Sequence, residues 1–153
     1  MGRRSRPDAP KPVERTGVRP ILVDSSVWID FFANRRTWAV EELDRMFGRE
    51  EVRVADLILM EILQGISTRR ELHAVETTIG RLPCYNLGGA ERARSAAANY
   101  RLLRASGLTP RSPVDMLIAT FCVEERVELL ANDRDFTLMA RKLELSLRRP
   151  PLN

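Results

Sequence analysis

Apolar residues recur along this chain in two alternating rhythms. Ile21-Leu22-Val23 is a β-rich run of three, too short for a helix and typical of a strand buried on both faces. Helical spacing follows over Val27–Asn34 and again over Trp38–Phe47, where Val40, Leu43, Met46 and Phe47 are apolar and Gly48 is the stop. Val52–Val54 predicts a second strand. Asp56 reads as the N-cap of a helix over Leu57–Gly65, and Thr68 as the cap of the next, about Arg69–Gly80. Leu82–Leu87 reads as extended. Ala90–Ala105 predicts a long helix that starts after Gly88-Gly89 and stops at Gly107. Ser112 as N-cap with Pro113 at the first helical position launches Val114–Glu125. Val127–Ala131 is the fourth predicted strand, Phe136–Lys142 a brief helix and Leu143–Leu147 a fifth strand. Strands alternating with amphipathic helices predict an α/β fold: a three-layer α/β/α sandwich around a central parallel sheet of about five short strands.

Residues 1–20 break this pattern. Four prolines stand there among charges, with almost nothing apolar, so a flexible basic N-terminal extension is expected, followed by a single domain over 21–150. The chain's 153 residues suit one domain. The extension also accounts for the net charge of +4: it holds six Lys/Arg against Asp8 and Glu14, and the rest of the chain balances 19 basic with 19 acidic side chains. The overall pI near 9.7 is therefore no sign of a basic groove on the folded body. Only Lys11 and Lys142 are lysines; the arginines fit either coding bias or phosphate contacts. The longest nearly apolar run, Met116–Val123, has eight residues against about 20 for a membrane span. With no apolar stretch after the basic N-terminus to make a secretory signal, the cytoplasm is the expected compartment.

Cys84 and Cys122 lie 38 positions apart, without metal-ligand spacing, and read as two buried reduced thiols. His73, the only histidine, falls on an amphipathic helix with Leu72, Val75 and Ile79 and reads as a surface residue. Histidine-based nucleophilic catalysis is thereby nearly excluded.

The acids are more informative. Asp24 ends the first strand, Asp115 occupies the first turn of the helix after Ser112, and Asp133 and Asp135 follow the fourth strand. In open α/β sheets ligands bind beyond the carboxyl ends of the strands. If strand four lies beside strand one, Asp24 and Asp133 become neighbours. Each acid also has an ordinary role open to it: Asp24 as a helix cap, Asp115 at N3 favouring the helix dipole, Asp133 and Asp135 as turn formers. Glu61 is harder to dismiss. It sits in Leu57-Ile58-Leu59-Met60-Glu61-Ile62-Leu63 with no basic residue within a turn, and an uncompensated carboxylate on an apolar helix is costly. Several carboxylates converging without Lys or Arg repel and raise one another's pKa values. A divalent cation resolves that conflict, all-oxygen ligation favours Mg²⁺ or Mn²⁺, and such a site supports phosphodiester hydrolysis.

Four segments carry a resemblance over about residues 20–150: Val23-Asp24-Ser25-Ser26-Val27-Trp28-Ile29, Leu59-Met60-Glu61-Ile62-Leu63-Gln64-Gly65, Asp115-Met116-Leu117-Ile118-Ala119 and Asn132-Asp133-Arg134-Asp135-Phe136. In order and spacing they resemble the motifs of PIN-domain ribonucleases, and most of all VapC-type toxins of toxin–antitoxin pairs. The resemblance implies that Asp24, Glu61, Asp115 and Asp133 bind Mg²⁺ or Mn²⁺ and position a water for attack on RNA. It implies that Ser25 or Ser26, with Asn132, supports these ligands, and that Asp135 is a further acid whose part as a ligand is open. It further implies a homodimer, a cognate VapB-type antitoxin, and structured RNA such as transfer RNA as substrate. Arg111, between Pro110 and Pro113, is a candidate phosphate contact, against the plainer reading of a surface arginine. The alternative is a catalytically silent PIN fold that binds RNA or a partner. A haloacid-dehalogenase-type phosphatase needs a second Asp where Ser26 stands. It and a response-regulator receiver also need a lysine near the site, and the body has only Lys142. A glycine-rich nucleotide loop is absent; Gly88-Gly89 is an isolated pair.

Overall fold

Three consecutive apolar side chains need cover on both faces of a strand, and Ile21, Leu22 and Val23 have it: all three are fully buried. In the computed structural model, which describes residues 19–152, they belong to β1 (Pro20–Val23). The predicted N-terminal extension, apart from Arg19 and Pro20, lies outside the described residues. The order continues α1 (Ser25–Phe32), α2 (Trp38–Met46), β2 (Glu51–Ala55), α3 (Asp56–Gln64), α4 (Arg69–Ile79), β3 (Cys84–Tyr85), α5 (Ala90–Ala105), α6 (Pro113–Glu125), β4 (Glu128–Leu130) and α7 (Arg134–Leu143). The four strands pair in parallel in the order β3-β2-β1-β4. Helices α1 to α3 pack together and α5 to α7 pack together, giving the α/β/α layering.

Because β1 pairs with β2 on one side and β4 on the other, the chain changes direction across the sheet at the β1–β4 boundary. Clefts for ligands form at such switch points. The register pairs Val23 with Leu130, so both strands end at the same level and the Asp24 backbone N–H donates to the Leu130 carbonyl at 2.9 Å. α1 is fixed in place by its aromatic side: Trp28, fully buried, stacks on Phe32 at 6.1 Å between ring centres and meets Phe31 and Phe47 edge-on. α6 is buried at six successive or near-successive positions from Met116 to Cys122. Its fully buried Thr120 is satisfied by the Asn99 side-chain amide at 3.0 Å.

The fifth strand is a correction. Phe136, Met139, Ala140 and Leu143 are all buried on one face of α7, so helical spacing claims Leu143 for the helix. Glu144 then turns the backbone out with φ +56°. What remains is one parallel bridge, Leu129 to Leu147, flanked by hydrogen bonds to Ser146 and Arg148. The third extended segment likewise shrinks to Cys84–Tyr85. Cys84 is exposed, contrary to its reading as buried, whereas Cys122 is buried. Asp56 is the first residue of α3 rather than its cap: Asp56 Oδ1 accepts from its neighbour Leu57 N–H at 2.8 Å and from Leu87 N–H at 3.1 Å, tying the helix start to the segment after β3. α1 begins two residues earlier than predicted, because Asp24 caps it.

The C-terminal segment is secured by Arg148. Its guanidinium donates to Glu128 at 2.9 and 3.0 Å, to Glu50 at 2.7 Å and to the buried Glu42 at 2.7 Å. Arg148→Ala would leave three carboxylates facing one another. Urea denaturation should show a loss of about 2 kcal/mol, less than for a fully buried network because Arg148 is partly exposed.

Candidate active site

Asp24 is the N-cap of α1, and its burial, at 3% exposure, follows from its place at the end of a central strand. Asp24 Oδ2 accepts from the Ser26 N–H at 3.0 Å and from the Ser26 hydroxyl at 2.6 Å. Burial raises its carboxyl pKa; the Ser26 hydrogen bonds oppose that rise, and the Glu61 charge adds to it. Of the two candidate serines, Ser26 makes the side-chain contact.

Asp115 lies in the first turn of α6, where Ser112 Oγ accepts from its N–H at 3.3 Å. It is half-buried, and its carboxyl is pushed up to about 7, first by burial and then by the negative charges of Asp24, Asp133, Glu61 and Asp135. One group thus feels all four other acids singled out in the sequence. Asp133 caps α7, with Oδ1 accepting from the Asp135 N–H at 2.8 Å. Glu61, in mid-α3, has an enclosed Oε2 with no hydrogen-bond partner among the described residues. Asp135 faces Arg111 Nε at 3.5 Å; Arg111 itself is 82% exposed. Asn132 donates its backbone N–H to Ser26 Oγ at 3.1 Å and its side-chain amide to Asp30 Oδ2 at 3.0 Å. Asp30 escaped the sequence reading, although its spacing of four from Ser26 on one helix was a usable signal.

The fold therefore draws Asp24, Glu61, Asp115, Asp133 and Asp135 into one electrostatic cluster. Among the described residues, no three of its side chains already stand in a metal-holding arrangement. The donor set itself suits a hard divalent cation: every candidate ligand is a carboxylate oxygen, and the orphaned Glu61 Oε2 is a buried acceptor in want of a positive partner.

A raised carboxyl pKa has a fixed consequence for stability. Between its unfolded value near 3.8 and about 7, Asp115 binds more protons in the folded chain than in the unfolded one. Its contribution in metal-free protein is therefore complete below pH 4 and lost as pH rises towards 7 and above. Asp115→Asn should raise the unfolding free energy of metal-free protein at pH 8 by roughly 1–2 kcal/mol, a figure discounted for partial exposure. The gain should vanish at pH 4, and urea melts at the two pH values measure it.

The PIN domain family model matches residues 21–142. VapC ribonuclease Mb1587 of Mycobacterium bovis is 34% identical over 123 residues, 79% of this chain and 92% of that protein. Ribonuclease VapC11 of Mycobacterium tuberculosis matches to the same extent. Among solved structures, VapBC2 from Rickettsia felis, bound to a DNA fragment from its promoter, shares the fold with a TM-score of 0.69 at 16% identity, covering 84% of this chain and 97% of that one. DNA-bound VapBC from Salmonella typhimurium gives 0.64 at 20% identity, covering 86% and 98%. With four-fifths of its length matched by the family model and a third of the aligned residues identical to VapC ribonucleases, this chain belongs to the PIN-domain family, in its VapC branch.

Proposed function

We propose that this chain is the toxin of a toxin–antitoxin pair, an endoribonuclease that hydrolyses RNA phosphodiester bonds with Mg²⁺ or Mn²⁺ held among Asp24, Glu61, Asp115 and Asp133. The observation that carries the reading is the crowding at Asp115, a carboxyl raised to about 7 by burial and four neighbouring acids. When bound, the ion supplies the positive charge that lets these acids coexist and that polarises a phosphoryl oxygen. Ser26 aims the Asp24 carboxylate by two hydrogen bonds and leaves its other oxygen for the ion. Carboxylate oxygens beside the phosphate accept hydrogen bonds from a water and hold it in line with the bond to be broken. The water gives up a proton to a neighbouring carboxylate as its oxygen bonds to phosphorus, the bridging P–O bond breaks, and the departing oxygen takes up a proton in its place, so none is gained or lost overall. Nothing in this sequence of events calls for a histidine. Arg111, exposed beside Asp135, would meet the RNA backbone. Asp135 stands as either a further ligand or the anchor of that arginine.

The partner proposed is a VapB-type antitoxin, the assembly a homodimer and the substrate a cellular RNA, transfer RNA included. The ribonuclease names of the 34%-identical relatives support the activity. Fold neighbours that are VapBC complexes support the partner. Mycobacterium tuberculosis VapC20, a fold neighbour with a TM-score of 0.57 at 17% identity, is described as cleaving the sarcin–ricin loop. No helix among the described residues is long and apolar enough to cross a membrane.

Purified protein with Mg²⁺ or Mn²⁺ should cleave total RNA, and excess EDTA should stop it. Asp24→Asn should lower cleavage more than about 100-fold, beyond what loss of a supporting contact produces, while circular dichroism stays that of the parent. Induction without antitoxin should arrest growth for the parent and spare it for Asp24→Asn. Arrest that survives the substitution supports the silent-binder reading instead.

A further inference from the structure

α1 carries a second polar device besides its cap. Ser26 and Asp30 stand four residues apart and so share one face of the helix. Both grip Asn132, the residue before Asp133: Ser26 Oγ accepts from the Asn132 backbone N–H at 3.1 Å, and Asp30 Oδ2 accepts from Asn132 Nδ2 at 3.0 Å. Asp30 Oδ1 accepts from Arg35 Nη1 at 3.1 Å, which orients the carboxylate. The Asp30 side chain is only 14% exposed. A carboxylate can only accept, which fixes the Asn132 amide with its nitrogen towards α1.

This grip answers a physical need. The connection from β4 to α7 is three residues long, 131–133, and it carries Asp133. Asp133, Asp24 and Glu61 all act on Asp115 with the same sign of charge. Repulsion therefore pushes the connection outward, and Asn132 is the point at which α1 holds it in. We infer that Asp30 is a positioning residue of the nuclease site, fixing through Asn132 where Asp133 stands relative to Asp24. The inference rests on the nuclease reading above. A purely local role for Asp30 at the end of α1 is already served by its backbone, whose carbonyl accepts from the Arg35 N–H at 2.9 Å whatever the side chain.

The test uses purified full-length protein, Mn²⁺ binding by calorimetry and RNA cleavage across a Mn²⁺ titration. Asp30→Ala should weaken Mn²⁺ binding and lower cleavage about 10- to 100-fold, the range found for groups that orient metal ligands. Asp30→Asn keeps one acceptor oxygen for Asn132 and should recover most of both. Asn132→Ala breaks the same grip without touching α1 and should reproduce Asp30→Ala. In that background Asp30→Ala should add nothing further. Parental Mn²⁺ affinity and activity in Asp30→Ala, or full additivity of the two alanine substitutions, overturns the inference while leaving the nuclease reading intact. A parent chain that neither binds Mn²⁺ nor cuts RNA overturns both.

Discussion

Parallel pairing of β1 with β4, in a register that ends both strands at the same level, is the constraint on which the site depends. Neighbouring strands lie about 4.8 Å apart, so the residues just past their carboxyl ends have little freedom to avoid each other. Asp24 follows β1 directly, and Asp133 follows β4 by three positions. α6 and α3 bring Asp115 and Glu61 within range of these charges, and negative charge accumulates around Asp115.

The local structure makes that accumulation tolerable. Asp24 caps α1, Asp133 caps α7 and Asp115 lies in the first turn of α6. Three helices thus turn their N-termini, with their unpaired N–H groups and positive dipole ends, towards the acids. The capping roles that sequence reading weighed against a functional role are the same contacts that hold the acids in place. Glu61 is the exception: in mid-helix it receives no such help, and it is the acid whose buried oxygen has no partner among the described residues.

The opposite edge of the sheet shows the other solution to the same problem. There Glu50 and Glu128, at the amino ends of β2 and β4, and Glu42 on α2 come together around Arg148 and are neutralised by it. One cluster of acids is closed by the chain's own guanidinium and serves stability. The other is met by the chain's own charge only at its rim, where the exposed Arg111 lies 3.5 Å from Asp135, and Asp115 within it keeps a raised carboxyl pKa. That contrast sets the edge closed by Arg148 apart from the edge that carries the candidate site.

Much of this was legible in the chain before folding. The uninterrupted Ile21–Val23 run marked a doubly covered strand. Ser112-Pro113 marked the start of α6, because caps and spacing are local properties, and the four acidic segments marked a candidate site. The strand count was not legible: Leu143–Leu147 is apolar enough for a strand, yet packing of α7 took Leu143, and pairing beyond a single bridge never formed. Nor was the exposure of Cys84 legible, since it depends on how little of the third strand pairs. Ser25 and Ser26 were equivalent in the sequence; only the direction of α1 after its cap decided that Ser26 reaches Asp24. The spacing of Asp30 from Ser26 lay in the sequence, but its contact with Asn132, 102 positions away, appeared only in three dimensions. Which acids exist was settled by sequence; which of them meet, what that meeting costs and what holds them there was decided by strand order and register, since only these bring distant carboxylates within range of one another's charge.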